Sequence, residues 1–441
     1  MDQLPPLGKA ISQTILPTFK AYAPLLRQNS ETIKSTRRET FPYGPHPRQH
    51  LDVYTPSRPS LSSPSPSPSL SSPSSPPTSG TADWKTPLPV THNPNSVFIF
   101  LYGGGFVNGA KILPGYPKPE PGQDGQDGQD GQDGQDGQDG QDGQGLVYAN
   151  LGHFFAENLG IKTVVIDYRL ISHGAKFPSG GQDLELAIEW VVDNLNSNSN
   201  SNSPTANDDD DEHAPPPPPP LDLYIMGNSA GGVHLATYLL APDFAESRRR
   251  LLSSSIRAAD DNSSAETRSK AHQARLKGVI FLSVPFHFDH ALPERKPTLA
   301  AYYGDDNDDD VRSKAPLGLL RASRKGDGSR SIKPLFQDVS VLVLKGSLDP
   351  EDEILGPTAD FVDEWLRQKK DTEDNDDQSG RNASTSDRSL SLSPSNLEVE
   401  MMPGQHNHIS PVLSLGTGIP DEEAWGRRVV DFVATTSHAR R

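Results

Sequence analysis

Short apolar runs alternate along the chain with longer segments in which apolar residues recur every three or four positions. Several short runs are apolar at consecutive positions, as expected for parallel strands buried on both faces. They predict strands at residues 97–101, 163–167, 221–226, 278–283, 339–344 and 397–401. The longer segments predict helices at residues 146–158, 182–195, 230–240, 358–369 and 421–435. This alternation predicts an α/β fold with a mostly parallel central sheet covered by helices on both faces.

Polar segments of low complexity interrupt this alternation. They include a Ser/Pro-rich stretch, seven tandem Gln-Asp-Gly triplets and a run of six prolines, and they span residues 57–91, 121–145, 196–220, 245–275 and 371–395. Such segments bury too little apolar surface to offset the loss of chain entropy, so we predict that they are disordered insertions. The roughly 300 residues that remain can form one large core, and we expect a single domain over residues 1–441.

The acidic composition belongs mainly to these and other loops. The net charge is −17, and the acidic runs within 123–143, 208–212, 305–310 and 371–377 carry more negative charge than this whole imbalance. Acidic runs repel phosphate backbones, so we expect no nucleic-acid partner. Runs of this kind are typical of solvated loops rather than of a metal site or a site for a basic protein.

The sequence contains no cysteine, and this excludes three kinds of structural or catalytic group. Disulfides, a thiolate nucleophile and Cys-ligated zinc are all excluded. The first residues lack a basic region followed by a continuous apolar stretch, and no run reaches the ~18 apolar residues of a membrane span. We therefore expect a cytoplasmic protein without a membrane span.

Ser229 lies in the motif that is most specific for chemistry. Residues 227–231 read GNSAG, directly after the strand predicted at 221–226 and at the start of the helix predicted at 230–240. A G-x-S-x-G sequence between a strand and a helix is typical of a nucleophilic serine on a tight turn. Side chains at the two glycine positions would collide with the strand and the helix. The alternative interpretation is a serine that only caps the helix.

Three consecutive glycines follow the strand predicted at 97–101. Backbone N–H groups in such a loop can approach a ligand closely, and in an acyl-transfer site they stabilise the oxyanion. We assign Gly104 and Gly105 to this role, together with the N–H group of Ala230. A phosphate-binding loop is the alternative, but the Gly-Lys-Ser/Thr sequence it requires does not follow.

Candidates for the acid and the base follow the last two predicted strands. Asp349 comes soon after the strand at 339–344, where an acid can orient a histidine. The neighbouring acids of residues 351–353 are alternatives. His406 and His408 follow the strand at 397–401, and either imidazole can accept the serine proton because histidine titrates near neutral pH. The two histidines have no third ligand at a fixed spacing, so we predict no metal site.

These motifs resemble those of the α/β-hydrolase superfamily. The resemblance is closest to the esterase/lipase group with an HGGG-type loop and, within it, to kynurenine-formamidase-like enzymes. The shared stretches stand in the family's order: YGP at 43–45, LDVY at 51–54, YGGGF at 102–106, DYRL at 167–170, GNSAGG at 227–232, LDP at 348–350 and HNHIS at 406–410. Tyr102 occupies the position at which the family's loop usually has a histidine.

The resemblance implies which residues form the site. The family's chain order is serine, acid, histidine, which supports Asp349 as the acid. Formamidase-type enzymes carry a His-Phe-x-Ile pattern, and its alignment with residues 406–409 selects His406 over His408 as the base. His234, on the helix after the nucleophile, is expected to be packed rather than catalytic. Residues 284–323, hereafter the cap segment, are expected to cover the site.

Together, the motifs and the resemblance predict a serine hydrolase that needs no cofactor. Its substrate is expected to be a small-molecule ester or N-formyl aryl amide, cleaved through an acyl-enzyme. Two other classes remain open, namely a non-catalytic receptor or scaffold with this fold and a docking platform that uses the prolines within 196–220. The sequence leaves the oligomeric state undetermined.

Four aromatic residues of the cap segment either line the pocket or pack between helices, namely Phe286, Phe288, Tyr302 and Tyr303.

Overall fold

The computed structural model describes most of the chain outside the low-complexity segments. The described residues are 4–57, 95–113, 145–196, 220–252, 273–304, 308–323, 339–380 and 396–438. The greater part of each predicted disordered insertion lies outside these ranges, so the state of those residues remains a prediction.

Eight strands form one sheet in the order β1-β2-β4-β3-β5-β6-β7-β8. β1 and β2 are antiparallel to each other, and β2 is antiparallel to β4. The pairings from β4 through β8 are all parallel. The strands are β1 (Arg37–Pro42), β2 (His50–Thr55), β3 (Ser96–Leu101), β4 (Lys162–Ile166), β5 (Leu221–Asn228), β6 (Ala274–Leu282), β7 (Ser340–Lys345) and β8 (Leu397–Met401). The α/β class and its mostly parallel sheet are confirmed.

Helices cover both faces of the sheet. In chain order they are α1 (Ile11–Gln28), α2 (Ser30–Ser35), α3 (Ala149–Leu159), α4 (Ser179–Leu195), α5 (Ala230–Leu240), α6 (Ala245–Leu252), α7 (Lys296–Tyr303), α8 (Asp308–Lys314), α9 (Pro316–Ser323), α10 (Gly356–Gly380), α11 (Ser410–Ser414) and α12 (Ala424–His438). Side chains of β3 alternate between the two cores, with Ile99 in one and Phe98 and Phe100 in the other. One core lies against α4, α5 and α10, and the second lies against α1, α3 and α12.

Two predicted insertions overlap helices of the structure, and the insertion predicted at 245–275 also overlaps the start of β6. Residues 245–252 form α6, in which Arg248 is buried and donates from its Nη1 to the carbonyl of Ala241 at 3.0 Å. Residues 371–380 continue α10 rather than leaving it. Charged residues are frequent in both stretches, and they conceal that α6 forms in the first and that α10 continues through the second.

The cap segment packs mainly through buried aromatic rings. Phe286 is fully buried and stacks on Phe361 of α10 with ring centroids 4.0 Å apart. Tyr302 stacks on Phe106 of the glycine loop at 4.4 Å, and Tyr303 is also buried. Phe288 is half-buried. For Phe286 in particular, the structure therefore supports packing between helices rather than a place in the pocket wall.

Within the described residues, no helix combines the length and the apolar character that crossing a membrane requires.

Replacement of Phe286 by alanine tests this packing. We expect the free energy of unfolding to fall by about 3–5 kcal/mol, because the change leaves a cavity beside Phe361. The control is Leu292→Ala in the same segment, where the side chain is exposed and the expected change is within about 0.5 kcal/mol. Urea denaturation of both variants measures the difference, and equal losses would contradict the arrangement.

Candidate active site

Ser229 lies on a strained turn between β5 and α5. Its φ of 49° and ψ of −121° are unusual for a residue with a side chain. A Cβ built on Gly227 would lie 2.5 Å from the Cα of Gly232, and one built on Gly231 would lie 2.3 Å from the carbonyl oxygen of Leu101. Both positions therefore require glycine, as the sequence argument expects.

A continuous chain of hydrogen bonds connects Ser229, His408 and Asp349. The Oγ of Ser229 lies 2.9 Å from Nε2 of His408. The Nδ1 of His408 lies 3.1 Å from Oδ1 of Asp349. An ionised carboxylate only accepts hydrogen bonds, so Nδ1–H donates to Asp349 and Nε2 is left to accept from the serine hydroxyl. A nucleophile, a base and an orienting acid would require this geometry.

Asp349 is fully buried, and three donors hold its carboxylate. In addition to His408, the hydroxyl of Ser283 and the N–H group of Gly346 each donate to Oδ2 at 2.7 Å. Oδ1 is therefore left to His408. Ser283 follows β6 directly, yet no sequence motif indicated it. Position alone, at the carboxyl end of a parallel strand, is the signal that could have found it.

The structure brings His408, and not His406, into the chain of hydrogen bonds. The His406 carbonyl accepts from the N–H group of Leu348 at 2.9 Å, while its side chain points away, with Nδ1 3.0 Å from Oγ of Ser410. Its buried Nε2 has no hydrogen-bond partner among the described residues. Burial lowers the pKa of His406 to about 4, so its imidazole is neutral near pH 7. The structure therefore contradicts the choice of His406 as the candidate base and places His408 at that position instead.

Asn407 fixes the loop that carries both histidines. Its side-chain oxygen accepts from the N–H groups of Ile409 and Ser410, at 3.0 and 2.9 Å. Its side-chain nitrogen donates to the hydroxyl of Thr18 on α1 at 2.9 Å. All of these except Ile409 are buried. The N-terminal helix therefore anchors the residue that precedes His408, a contact that sequence reasoning missed.

The glycine loop lies against Ser229. A Cβ built on Gly103 would lie 2.9 Å from the Cβ of Ser229. Among the described residues, no acceptor is found for the N–H groups of Gly104, Gly105 and Ala230. Unpaired N–H groups beside a nucleophile are what an oxyanion requires.

Tyr102 holds the start of the glycine loop. Its hydroxyl donates to Oδ1 of Asp167 at 2.6 Å and accepts from Nη2 of Arg48 at 2.7 Å. Its ring lies between those of Tyr148 and Tyr168, at centroid distances of 5.1 and 4.8 Å. Burial raises the pKa of Tyr102 well above its usual value, so the hydroxyl stays protonated. The hydroxyl group of Tyr102 thus stabilises the structure of the loop rather than taking part in the reaction.

His234 is packed, as expected. It is buried beside Tyr302, with Nδ1 3.2 Å from the tyrosine hydroxyl. Burial lowers its pKa to about 3, so it remains neutral at ordinary pH. Among the described residues, no group of three or more side chains of the metal-ligating types is arranged to hold a metal ion.

The strand order, the helices on both faces and the turn at Ser229 define an α/β-hydrolase fold. Comparison with protein-family models gives no match, and neither does comparison with curated proteins. Among solved structures, a fungal esterase from Rhizomucor miehei is similar with a TM-score of 0.46 and 13% identity, covering 96% of this chain and 91% of that one.

Two further structures are similar at the same low level. A carbohydrate esterase from gut microbiota has a TM-score of 0.44 and 13% identity, covering 91% of this chain and 96% of that one. An esterase from the archaeon Pyrobaculum calidifontis has a TM-score of 0.42 and 13% identity, covering 95% and 90%. Likeness at this level says nothing about the substrate or the reaction, which have to be argued from the side chains.

Replacement of Asn407 by alanine tests how the histidine loop is held. Two buried or half-buried N–H groups would lose their acceptor, so we expect the free energy of unfolding to fall by about 1–3 kcal/mol. The matched control is Asn194→Ala on α4, because that exposed side chain only donates back to the carbonyl of Trp190. Chemical denaturation of the two variants measures the effect, and an Asn407 loss no larger than that of the control would contradict this role.

The lowered pKa of His406 predicts a dependence of stability on pH. An imidazole in water has a pKa of 6.5, whereas burial in the folded chain lowers the pKa of His406 to about 4. Between these values the unfolded state binds more protons, so stability falls as the pH decreases. The burial of His234 acts in the same direction. We expect His406→Gln to make the loss from pH 6.5 to pH 4 shallower. Urea denaturation across this range measures the slope, and a slope as steep as that of the unchanged protein would refute the assignment.

Proposed function

We propose that this chain is a serine hydrolase that cleaves a carboxylic ester, or an N-formyl aryl amide, of a small molecule. The observation that carries the proposal is the uninterrupted hydrogen-bond chain from Ser229 through His408 to the buried Asp349. A serine hydroxyl on a strained turn, bonded to a histidine that is oriented by a carboxylate, is a recurring arrangement for nucleophilic catalysis.

The first half of the proposed reaction forms an acyl-enzyme. His408 Nε2 takes the proton of Ser229 as Oγ attacks the substrate carbonyl. Asp349 stabilises the imidazolium that results and keeps the ring in the orientation the transfer needs. His408 then gives the proton to the leaving oxygen or nitrogen, and the acyl group remains on Ser229.

The second half returns the free enzyme. Water takes the place of the leaving group, gives a proton to His408 and attacks the acyl carbonyl. The bond between the acyl carbon and Oγ then breaks, the carboxylic acid leaves, and His408 returns its proton to Ser229. In both halves the negative charge of the tetrahedral intermediate falls on the oxygen that faces the N–H groups of Gly104, Gly105 and Ala230. Loss of one such donor typically costs about 2.7–4 kcal/mol of transition-state stabilisation. No step requires a cofactor.

Ser229→Ala tests the nucleophile. We expect turnover of short p-nitrophenyl esters to fall by on the order of 10³-fold or more, because the attacking oxygen is gone. A fluorophosphonate probe should label the unchanged protein and leave the variant unlabelled. The matched control is Ser172→Ala, because Ser172 is an exposed serine whose hydroxyl lies 3.1 Å from a ring nitrogen of His173.

Full turnover by Ser229→Ala, with its circular dichroism spectrum intact, would contradict the proposed nucleophile. Absence of both labelling and turnover in the unchanged protein would instead favour a non-catalytic receptor or scaffold with this fold. A substrate panel that compares N-formylkynurenine with short-chain and aryl esters distinguishes the two substrate classes.

Paired histidine variants test which imidazole is the base. His408→Gln removes the imidazole that is hydrogen-bonded to both Ser229 and Asp349. We expect a loss in kcat on the order of 10³-fold or more. His406→Gln removes an imidazole that bonds only to Ser410, so we expect a loss of less than tenfold. Steady-state kinetics of the two folded variants decide, and the reverse order of effects would restore the choice made from the sequence.

A further inference from the structure

A guanidinium group lies beside the loop that the proposed mechanism uses for the oxyanion. Arg295 ends a short 3₁₀ turn (Pro293–Arg295) in the cap segment, immediately before α7. A Cβ built on Gly105 would lie 3.7 Å from Nη1 of Arg295. The cap segment thus brings a positive charge to the glycine loop.

Glu353 holds this guanidinium by one edge. Nε of Arg295 donates to Oε1 at 3.1 Å, and Nη2 donates to Oε2 at 3.1 Å. Glu353 follows β7 and lies a few residues beyond Asp349, so the ion pair joins the cap segment to the loop of the proposed acid. The two contacts fix the plane of the guanidinium and leave Nη1 as the end that faces Gly105.

Nη1 is free to bind a ligand. A guanidinium has five N–H donors, and the two bonds to Glu353 use only two of them. Among the described residues, no acceptor is found for Nη1 of Arg295. The Arg295 side chain is 35% exposed, whereas that of Glu353 is 11% exposed. Solutes can therefore reach the arginine, while the glutamate lies behind it.

Stability alone is a weak reason for this ion pair. A partly exposed pair typically contributes little to the free energy of unfolding, since solvent screens it. The ion pair instead preorganises Arg295. It holds this long and flexible side chain so that the two N–H donors of Nη1 are directed at the glycine loop. An arginine fixed in this way suits the recognition of a planar anion such as a carboxylate.

We propose that Nη1 of Arg295 binds a carboxylate of the substrate, so that the site prefers esters or amides bearing a free carboxylate a few bonds from the scissile carbonyl. The inference rests on the proposed hydrolase function and narrows its substrate class. Glu353 already balances much of the arginine charge, which favours a monoanion over a phosphate dianion, for which clusters of arginines are typical.

The test compares substrates that differ only in the terminal charge. The charged set is the monoethyl esters of succinate, glutarate and adipate. The neutral set is the ethyl esters of butyrate, valerate and hexanoate, which have acyl chains of the same lengths. The quantity measured is the ratio of kcat/KM for each charged ester to that for its neutral counterpart, from the release of ethanol.

Arg295→Gln is expected to lower this ratio at least tenfold for the best chain length. That variant alone leaves Glu353 unpaired, and the glutamate would itself repel an anion. The decisive variant is therefore Arg295→Gln/Glu353→Gln, which removes both charges and leaves the net charge of the site unchanged. We expect the ratio to fall at least tenfold here as well. The matched control is Arg312→Gln, an exposed arginine of the cap segment that pairs with Asp289, and its ratio should stay within twofold.

An undiminished ratio in the double variant would overturn the subsite. If neutral esters were still hydrolysed and Ser229 still labelled, the hydrolase proposal would stand without it. An equal loss on both substrate sets would also overturn the subsite, because the arginine would then act on the loop and not on the substrate carboxylate.

Binding decides the question independently of turnover. Calorimetric titration of monoethyl glutarate into the Ser229→Ala protein should show binding at least tenfold tighter than in the same protein with Arg295→Gln/Glu353→Gln. Equal affinity in the two proteins, or no binding to either, would overturn the subsite even if no ester were ever turned over.

Discussion

The close approach of α5 to β3 is the constraint on which the site depends. The helix begins directly after Ser229, and its first turn lies so close to the strand that a Cβ on Gly231 would meet the carbonyl of Leu101 at 2.3 Å. This approach forces the serine into positive φ and lifts its side chain above the carboxyl edge of the sheet. The glycine loop continues from the same strand, so one contact positions both Ser229 and the N–H groups beside it.

The parallel sheet brings the other residues of the candidate site together. Loops after β5, β6, β7 and β8 all leave the same edge, which brings together residues that are far apart along the chain. Burial makes their contacts specific, because a buried carboxylate without donors would be costly and Asp349 has donors from Ser283, Gly346 and His408. Each donor gives the buried carboxylate of Asp349 a hydrogen bond and at the same time helps to fix the orientation of that carboxylate.

The sequence predicted those features that depend on local pattern. Six parallel strands, of which all but the edge strand β8 are mostly buried, and the turn at Ser229 could be found because apolar runs and glycine spacing are local signals. β1 and β2 were not predicted, since β1 is a charged edge strand and the buried Asp52 interrupts the apolar run of β2.

The choice between two histidines was a different kind of problem. The pattern HNHIS offers both, and alignment with a family motif selected His406. Only the path of the backbone decides which side chain faces the serine, and that path is set by contacts from elsewhere: Leu348 on the His406 carbonyl and Thr18 on Asn407. The same limit applies to Arg295, because nothing local in the sequence connects the cap segment with Gly105.

The positions of the low-complexity segments agree with a site at one edge of the sheet. At four of the five segments the chain leaves the described residues after β2, α4, α6 or α10 and returns just before β3, β5, β6 or β8, at the amino ends of these strands. Insertions there enter the fold at the edge opposite to Ser229. The exception follows the glycine loop, where Leu113 and residues 145–147 exchange two backbone hydrogen bonds that close the base of the interruption. Length variation at these points leaves the loops of the site in place, because their anchors lie in the sheet and in α1.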